Sequence, residues 1–157
     1  MNIKLLCIGK TDNKQLQTLI DEYSGRLNHY IKFSLEVILD IKNVKNLSES
    51  QQKEKEGILI LKKVGPQHHL ILLDENGKEF NSVGFSKFLQ KKMNGGYKTL
   101  VLVIGGPYGF SESVYQKAQG KVALSQMTFS HQMVRLFITE QLYRGFTILK
   151  GEPYHHQ

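Results

Sequence analysis

The chain has 157 residues, the length of one ordinary domain, with 40% hydrophobic and 22% charged residues and three prolines, which excludes a disordered tail or a fibrous repeat. Lysine and arginine outnumber aspartate and glutamate by 21 to 14, and the resulting charge of +7 favours a polyanion as partner: RNA, DNA or an anionic lipid surface. No apolar run reaches the roughly 18 residues of a membrane span, residues 1–7 are too short for a signal peptide, and a lone cysteine, Cys7, excludes a disulfide framework, so a cytoplasmic protein without a membrane partner is expected.

Residues 3–8 open the chain as a strand that is apolar on consecutive positions, with Cys7 inside it as a small buried thiol. Helix is expected over 13–30, then strand over 33–39. Ser48 is the N-cap of a helix over 48–63 that Gly65-Pro66 closes. Strand follows at 70–73, with a turn at Asp74-Glu75-Asn76-Gly77. The helix over 82–93 ends at Gly95-Gly96, and Lys87, Lys91, Lys92 and Lys98 around it form the most basic local stretch, either a solvated helix face or an RNA-backbone contact. Strand over 100–104, a helix over 112–119 capped by Ser111, strand over 122–124 and a last helix over 132–149 complete the chain. Strand and helix alternate, and continuous apolarity means strands buried on both faces. An α/β fold is expected, with a mostly parallel sheet flanked by helices, in a single domain over 1–157.

Two segments suit ligand binding. The strand at 100–104 opens into Gly105-Gly106-Pro107-Tyr108-Gly109-Phe110-Ser111 and then a helix start; in open α/β sheets, ligands lie beyond the carboxyl ends of strands. Glycines let the backbone approach a ligand, and Pro107 stiffens the loop. The spacing is neither G-x-G-x-x-G nor a phosphate-binding P-loop. The second segment, Leu124-Ser125-Gln126-Met127-Thr128-Phe129-Ser130-His131, precedes the last helix and can line a pocket with its backbone. The pairs His68-His69 and His155-His156 lack the spacing of a metal site, so no metal is expected.

On the last helix, Val134, Ile138, Leu142, Gly145 and Leu149 form one apolar stripe with Phe146 at its edge. Arg135 lies within this core-facing stripe, where a guanidinium needs an anion or several acceptors, and its place in the first turn lets it reach a pocket mouth. Met133 and Phe137 fall on the opposite side, which calls for a second packing partner such as another copy of the chain. Arg144, four residues after Glu140, reads as a surface ion pair. The ending Pro153-Tyr154-His155-His156 keeps aromatic and titratable groups where a terminus usually frays.

Leu72-Leu73-Asp74-Glu75-Asn76-Gly77-Lys78, Ile104-Gly105-Gly106-Pro107-Tyr108-Gly109, the segment from Leu124 to His131, Val134-Arg135, Glu140-Gln141-Leu142-Tyr143-Arg144 and Pro153-Tyr154-His155, in this order and spacing, resemble the ribosomal RNA large-subunit pseudouridine N3-methyltransferases of the SPOUT superfamily. The resemblance covers essentially the whole chain. It implies a C-terminal trefoil knot, which no periodicity would suggest. It implies S-adenosyl-L-methionine as methyl donor, with S-adenosyl-L-homocysteine as product, in a pocket formed by Leu73, Gly105, Gly106, Leu124, Ser125, Gln126, Met127, Thr128 and Phe129. It implies a homodimer in which the tail of one subunit helps complete the site of the other, acting on helix 69 of 23S rRNA within the ribosome. His131 and His155 are then candidate proton acceptors, Arg135 a stabiliser of charge on the base or its phosphate, and Tyr154 a companion of His155 in the tail. Relatives of this kind often end Tyr-His-Arg, whereas His156 stands here. The rival expectations are a SPOUT enzyme acting on tRNA or another rRNA nucleotide, and a non-catalytic ribosome-binding factor.

Overall fold

The structure, a computed structural model, describes residues 1–156. The apolar runs become the strands β1 (Asn2–Ile8), β2 (Phe33–Ile38), β3 (His68–Glu79), β4 (Thr99–Ile104) and β5 (Gly120–Ala123). They form one five-stranded sheet in the order β2-β1-β4-β3-β5, parallel at every pairing. The central strands are covered on both faces, as continuous apolarity requires: Leu5, Leu6, Cys7 and all of Leu100, Val101, Leu102 and Val103 are fully buried. Burial also pushes the Cys7 thiol up to about 12, which leaves it protonated and unreactive.

Alternate residues of each strand serve two separate cores. Ile3, Leu5, Leu100, Leu102 and Ile104 face the helices α1 (Lys14–Leu27), α3 (Ser82–Asn94) and α5 (His131–Lys150), through Leu27, Phe85, Leu89, Ile138, Leu142 and Phe146. Leu6, Ile8, Val101 and Val103 face α2 (Glu49–Lys62) and α4 (Glu112–Lys117), through Ile60 and Val114. Each fully buried leucine of this kind contributes about 1.5–3 kcal/mol to folding.

The helix ends are fixed by short polar side chains. Asn13 accepts from the Leu16 amide, Ser48 and Gln51 make a reciprocal capping box, and Ser130 accepts from Met133 at the start of α5. Ser111 occupies the cap position of α4, but its hydroxyl turns to the Ser113 hydroxyl at 2.9 Å and caps nothing. The first helix ends at Leu27, shorter than expected, because Asn28 Oδ1 accepts from the Phe33 amide and feeds the chain into β2.

Two further differences matter. A short 3-10 turn, Val44–Asn46, occupies a stretch where the sequence suggested no element. The turn expected at Asp74-Glu75-Asn76-Gly77 does not end its strand: Leu73 and Lys78 both pair with Val122, so the intervening residues bulge out of β3 and the strand then resumes. Gly77 permits this, since a Cβ there would lie 2.5 Å from the Val122 carbonyl carbon.

Candidate active site

The carboxyl ends of β3, β4 and β5 open on a cavity of about 630 Å³, the place where a parallel sheet offers free backbone groups. After β4 the chain makes a tight turn: the Gly109 amide donates to the Gly106 carbonyl at 3.2 Å, and Gly109 has φ of 80°. Both glycines at the head of this turn are closely approached. A Cβ on Gly105 would lie 3.1 Å from the Phe110 ring, and one on Gly106 would collide with the Glu56 carboxyl group. The bulge of β3 supplies Leu73, Asp74 and Glu75 to the cavity. Asp74 is held from both sides, accepting from the Tyr115 hydroxyl at 2.6 Å and from the Asn76 amide at 2.8 Å. Burial, together with the hydrogen bond to Asp74, pushes the Tyr115 phenol up to about 12, so it stays a donor.

The segment between β5 and α5 forms the facing wall. Ser125 Oγ accepts from the Met127 amide at 2.9 Å, and the Thr128 hydroxyl reaches Glu75 at 3.5 Å across the mouth. Of the nine donor-pocket positions expected from sequence, Leu73, Gly105, Gly106, Leu124, Ser125, Met127, Thr128 and Phe129 border the cavity; Gln126 is exposed outside it. His131, the first residue of α5, borders it too.

The remaining expected site residues lie elsewhere. Arg135 is fully buried, its Nη2 donating to the Ile8 carbonyl at 2.8 Å and its Nη1 to the Thr11 hydroxyl at 3.0 Å. It therefore bolts the first turn of α5 to the end of β1, and the mouth it was expected to reach is left to His131. Its Nε–H finds no hydrogen-bond partner among the described residues.

Tyr154 and His155 fold back on the other side of α5, around Arg144. The guanidinium pairs with Glu140 at 2.5 Å, stands over the Tyr154 ring at 4.6 Å and meets His155 Nδ1 at 3.4 Å. Tyr154 donates to Glu140 at 3.0 Å and meets the Tyr23 hydroxyl at 3.2 Å; burial, then these bonds, raise its phenol above the ordinary range. Tyr30 donates to Glu152, tying the tail to α1 as well. Sequence reasoning took Arg144 for a surface ion pair; the pair exists, but it is also the seat of the tail. The missed signal was the aromatic and histidine ten and eleven residues beyond it.

Tyr23 and Glu140, which Tyr154 touches, also line a second, mostly apolar cavity of about 480 Å³, whose walls include Leu19, Phe85, Leu136 and Phe137 and which shares Val122, Leu124 and Phe129 with the first. Within one chain, the candidate residues thus form two groups on either side of a common wall. Of the basic stretch, Lys92 is engaged with His69 at 2.8 Å at the amino end of the sheet, while Lys87, Lys91 and Lys98 are exposed. Among the described residues no three His, Cys, Asp or Glu side chains gather as a cation cluster, and no helix is long and apolar enough to cross a membrane.

Comparison with known proteins fits this geometry. A relative from Flavobacterium johnsoniae, named ribosomal RNA large subunit methyltransferase H, is 78% identical over the full length of both chains. One of the same name from Parabacteroides distasonis is 62% identical, again over the full length of both. Among solved structures, "a probable methylase family protein" from Haemophilus influenzae superposes with a TM-score of 0.53 at 10% identity, over 96% of this chain and 66% of that one, a likeness of fold. The family described as "Predicted SPOUT methyltransferase" matches residues 1–155, and the chain belongs to it.

Proposed function

We propose that this chain is a single-domain cytoplasmic enzyme that methylates N3 of a pseudouridine in helix 69 of 23S rRNA, working as a homodimer. The observation that carries the proposal is the cavity at the ends of β3, β4 and β5, walled by the backbone of a glycine turn and of the segment leading into α5. Its volume and its mixture of apolar wall, backbone groups and the carboxylates Asp74 and Glu75 suit S-adenosyl-L-methionine, a cationic ligand with a flat ring. When bound, that donor supplies an electrophilic methyl group on a sulfonium centre.

The protein has to orient the two reactants and take the proton from the attacking nitrogen. The rigid turn from Gly105 to Gly109 and the facing Leu124, Ser125 and Phe129 hold the donor. His131 at the mouth is a proton acceptor by position. Arg135 enters as a positioning residue, since its guanidinium fixes the turn of α5 that carries His131.

The tail residues need a second subunit to reach a donor cavity. Leu19 is 43% exposed on the wall of the apolar cavity, and Met133, one helical turn before the wall residue Phe137, is 38% exposed; a second copy would cover this face. Such a pairing would set Arg144, Tyr154 and His155 of one subunit against the donor cavity of the other, uniting the two groups. Exposed Lys87, Lys91 and Lys98 and the net charge of +7 suit contacts with RNA phosphates. The relatives named for the large ribosomal subunit support the choice of rRNA. The strand order, with β4 between β1 and β3 and β5 beyond β3, supports the trefoil threading of the family.

The test supplies tritiated S-adenosyl-L-methionine with ribosomes lacking the modification, then maps the labelled nucleotide by mass spectrometry. Label on a single pseudouridine of helix 69 is expected. Label on another RNA, or none despite donor binding, overturns the proposal.

A further inference from the structure

Against the glycine turn, and not among the residues that line the cavity, α2 sets Glu56 beside Gly106 and Gly57 beside Ser111. Gly57 leaves room for the Ser111 hydroxyl, which a Cβ there would strike. Glu56 is only 4% exposed. Gln52 Nε2 donates to its Oε1 at 2.9 Å, whereas its Oε2 is buried with no hydrogen-bond partner among the described residues. Of all atoms around Gly106, this same Oε2 is the first that an added Cβ would meet. The unanswered oxygen therefore faces the turn that walls the cavity.

Among the described residues, the bond from Gln52 repays part of this burial and no cation repays the rest. Burial opposes ionisation most, the bond from Gln52 favours it, and the charge of Asp40, beyond the end of β2, opposes it again, so the carboxyl is held above the ordinary carboxylate range. Gln52 on its own helix and Ser111 and Val114 from α4 are uncharged, and no salt bridge among the described residues involves Glu56. A glutamine would fill the same space without the cost of a buried charge. The carboxylate makes physical sense if a positive charge arrives on the far side of Gly106.

We propose that Glu56 is the residue that tells the methyl donor from its product: the carboxylate behind Gly106 favours the cationic sulfonium over the neutral thioether, so the site fills with the first and lets go of the second. This deepens the donor-pocket assignment and depends on it. Donor and product differ by a methyl cation, and in a poorly hydrated wall a charge one residue away is screened little. By linkage, a carboxyl whose hold on its proton is strengthened by burial loses that proton more readily when the cation binds than when the product binds. The other titratable groups at the cavity, Asp74, Glu75, Tyr108, Tyr115 and His131, border the ligand space directly, and the two ligands share an identical amino-acid end. Comparing ligands, with and without the Glu56 charge, therefore isolates Glu56.

The experiment is titration calorimetry of wild type and Glu56→Gln with S-adenosyl-L-methionine and S-adenosyl-L-homocysteine, from pH 5 to 8, in buffers of different ionisation heat. The variant should weaken the donor about tenfold and the product less than twofold. Wild type should release a fraction of a proton with the donor and none with the product, and donor affinity alone should rise with pH. Equal weakening of both ligands, or equal proton counts, overturns the role of Glu56 and leaves the pocket assignment standing. Failure of wild type to bind either ligand overturns the pocket assignment itself. Should Glu56→Gln not fold, Asp40→Asn takes its place: without the charge that opposes ionisation of Glu56, less proton should be released with the donor, and an unchanged count overturns the role of Glu56.

Discussion

The two cavities differ in what builds them. The larger lies where parallel strands end, and its walls carry amides, carbonyls and the held carboxylate of Asp74; the smaller lies between helices and is walled by Leu19, Phe85, Leu136 and Phe137. Strand ends offer backbone groups that a polar ligand can satisfy, while helix faces have spent theirs internally and offer only side chains. The first is therefore fit for a small charged molecule and the second for another protein surface. Val122, Leu124 and Phe129 belong to both, so what fills one cavity sets the shape of the wall that the other uses.

The hardest blow to this division is Gly106→Val. Its side chain would enter the space of the Glu56 carboxyl group, so the buried carboxyl or the turn against it must shift, and donor affinity should fall about 100-fold in calorimetry. The dimer measured by sedimentation should survive; loss of both together would mean that the cavities are not separable. Phe137→Asp strikes the other side. A charge on the apolar face should yield monomers, lower methylation about 30-fold and leave donor affinity within about threefold. A variant that remains dimeric would break the assignment of that face. Tyr154→Phe removes the hydroxyl between Glu140 and Tyr23, a bond worth about 1 kcal/mol. Methylation should drop about fivefold with donor affinity unchanged, and an equal drop in donor affinity would place the tail in the donor cavity of its own chain.

Much of the larger cavity was legible in the sequence because it is local. An apolar strand running into Gly105-Gly106-Pro107 announces both the sheet and the opening beyond it. The stripe of Ile138, Leu142 and Phe146 likewise placed the face of α5 that packs on the sheet. What stayed hidden is what the chain joins across distance. Arg135 was legible as a cation in a core-facing stripe, but its acceptor is the Ile8 carbonyl, which no spacing announces. The bulge of β3 depends on where β5 pairs, so Asp74 to Gly77 reads as a plain turn until Val122 is beside it. Gln126 entered through family likeness and lies outside the cavity. The return of Tyr154 onto Arg144 needs the turn at Gly151, with φ of 68°, which reads in sequence only as the end of a helix.

The smallest expected effect concerns the back of the polar cavity, where Glu56 stands and which has no counterpart behind the apolar one. Its carboxyl is raised above the ordinary value of 4.5 by burial first and Asp40 second, with the bond from Gln52 opposing. A raised acid binds its proton more tightly folded than unfolded, so its contribution is intact below the unfolded value and is lost as pH climbs through the folded one. Glu56→Gln cannot ionise and escapes this loss. In thermal unfolding without ligand, the variant should match wild type near pH 4 and melt a few degrees higher at pH 8. The gap should close again when the donor is added, because a bound cation answers the charge in wild type and nothing in the variant. A variant less stable than wild type at pH 8 would mean that the carboxylate already has its partner in the folded chain, and that the wall of the polar cavity is as complete without a ligand as that of the apolar one is without a second copy.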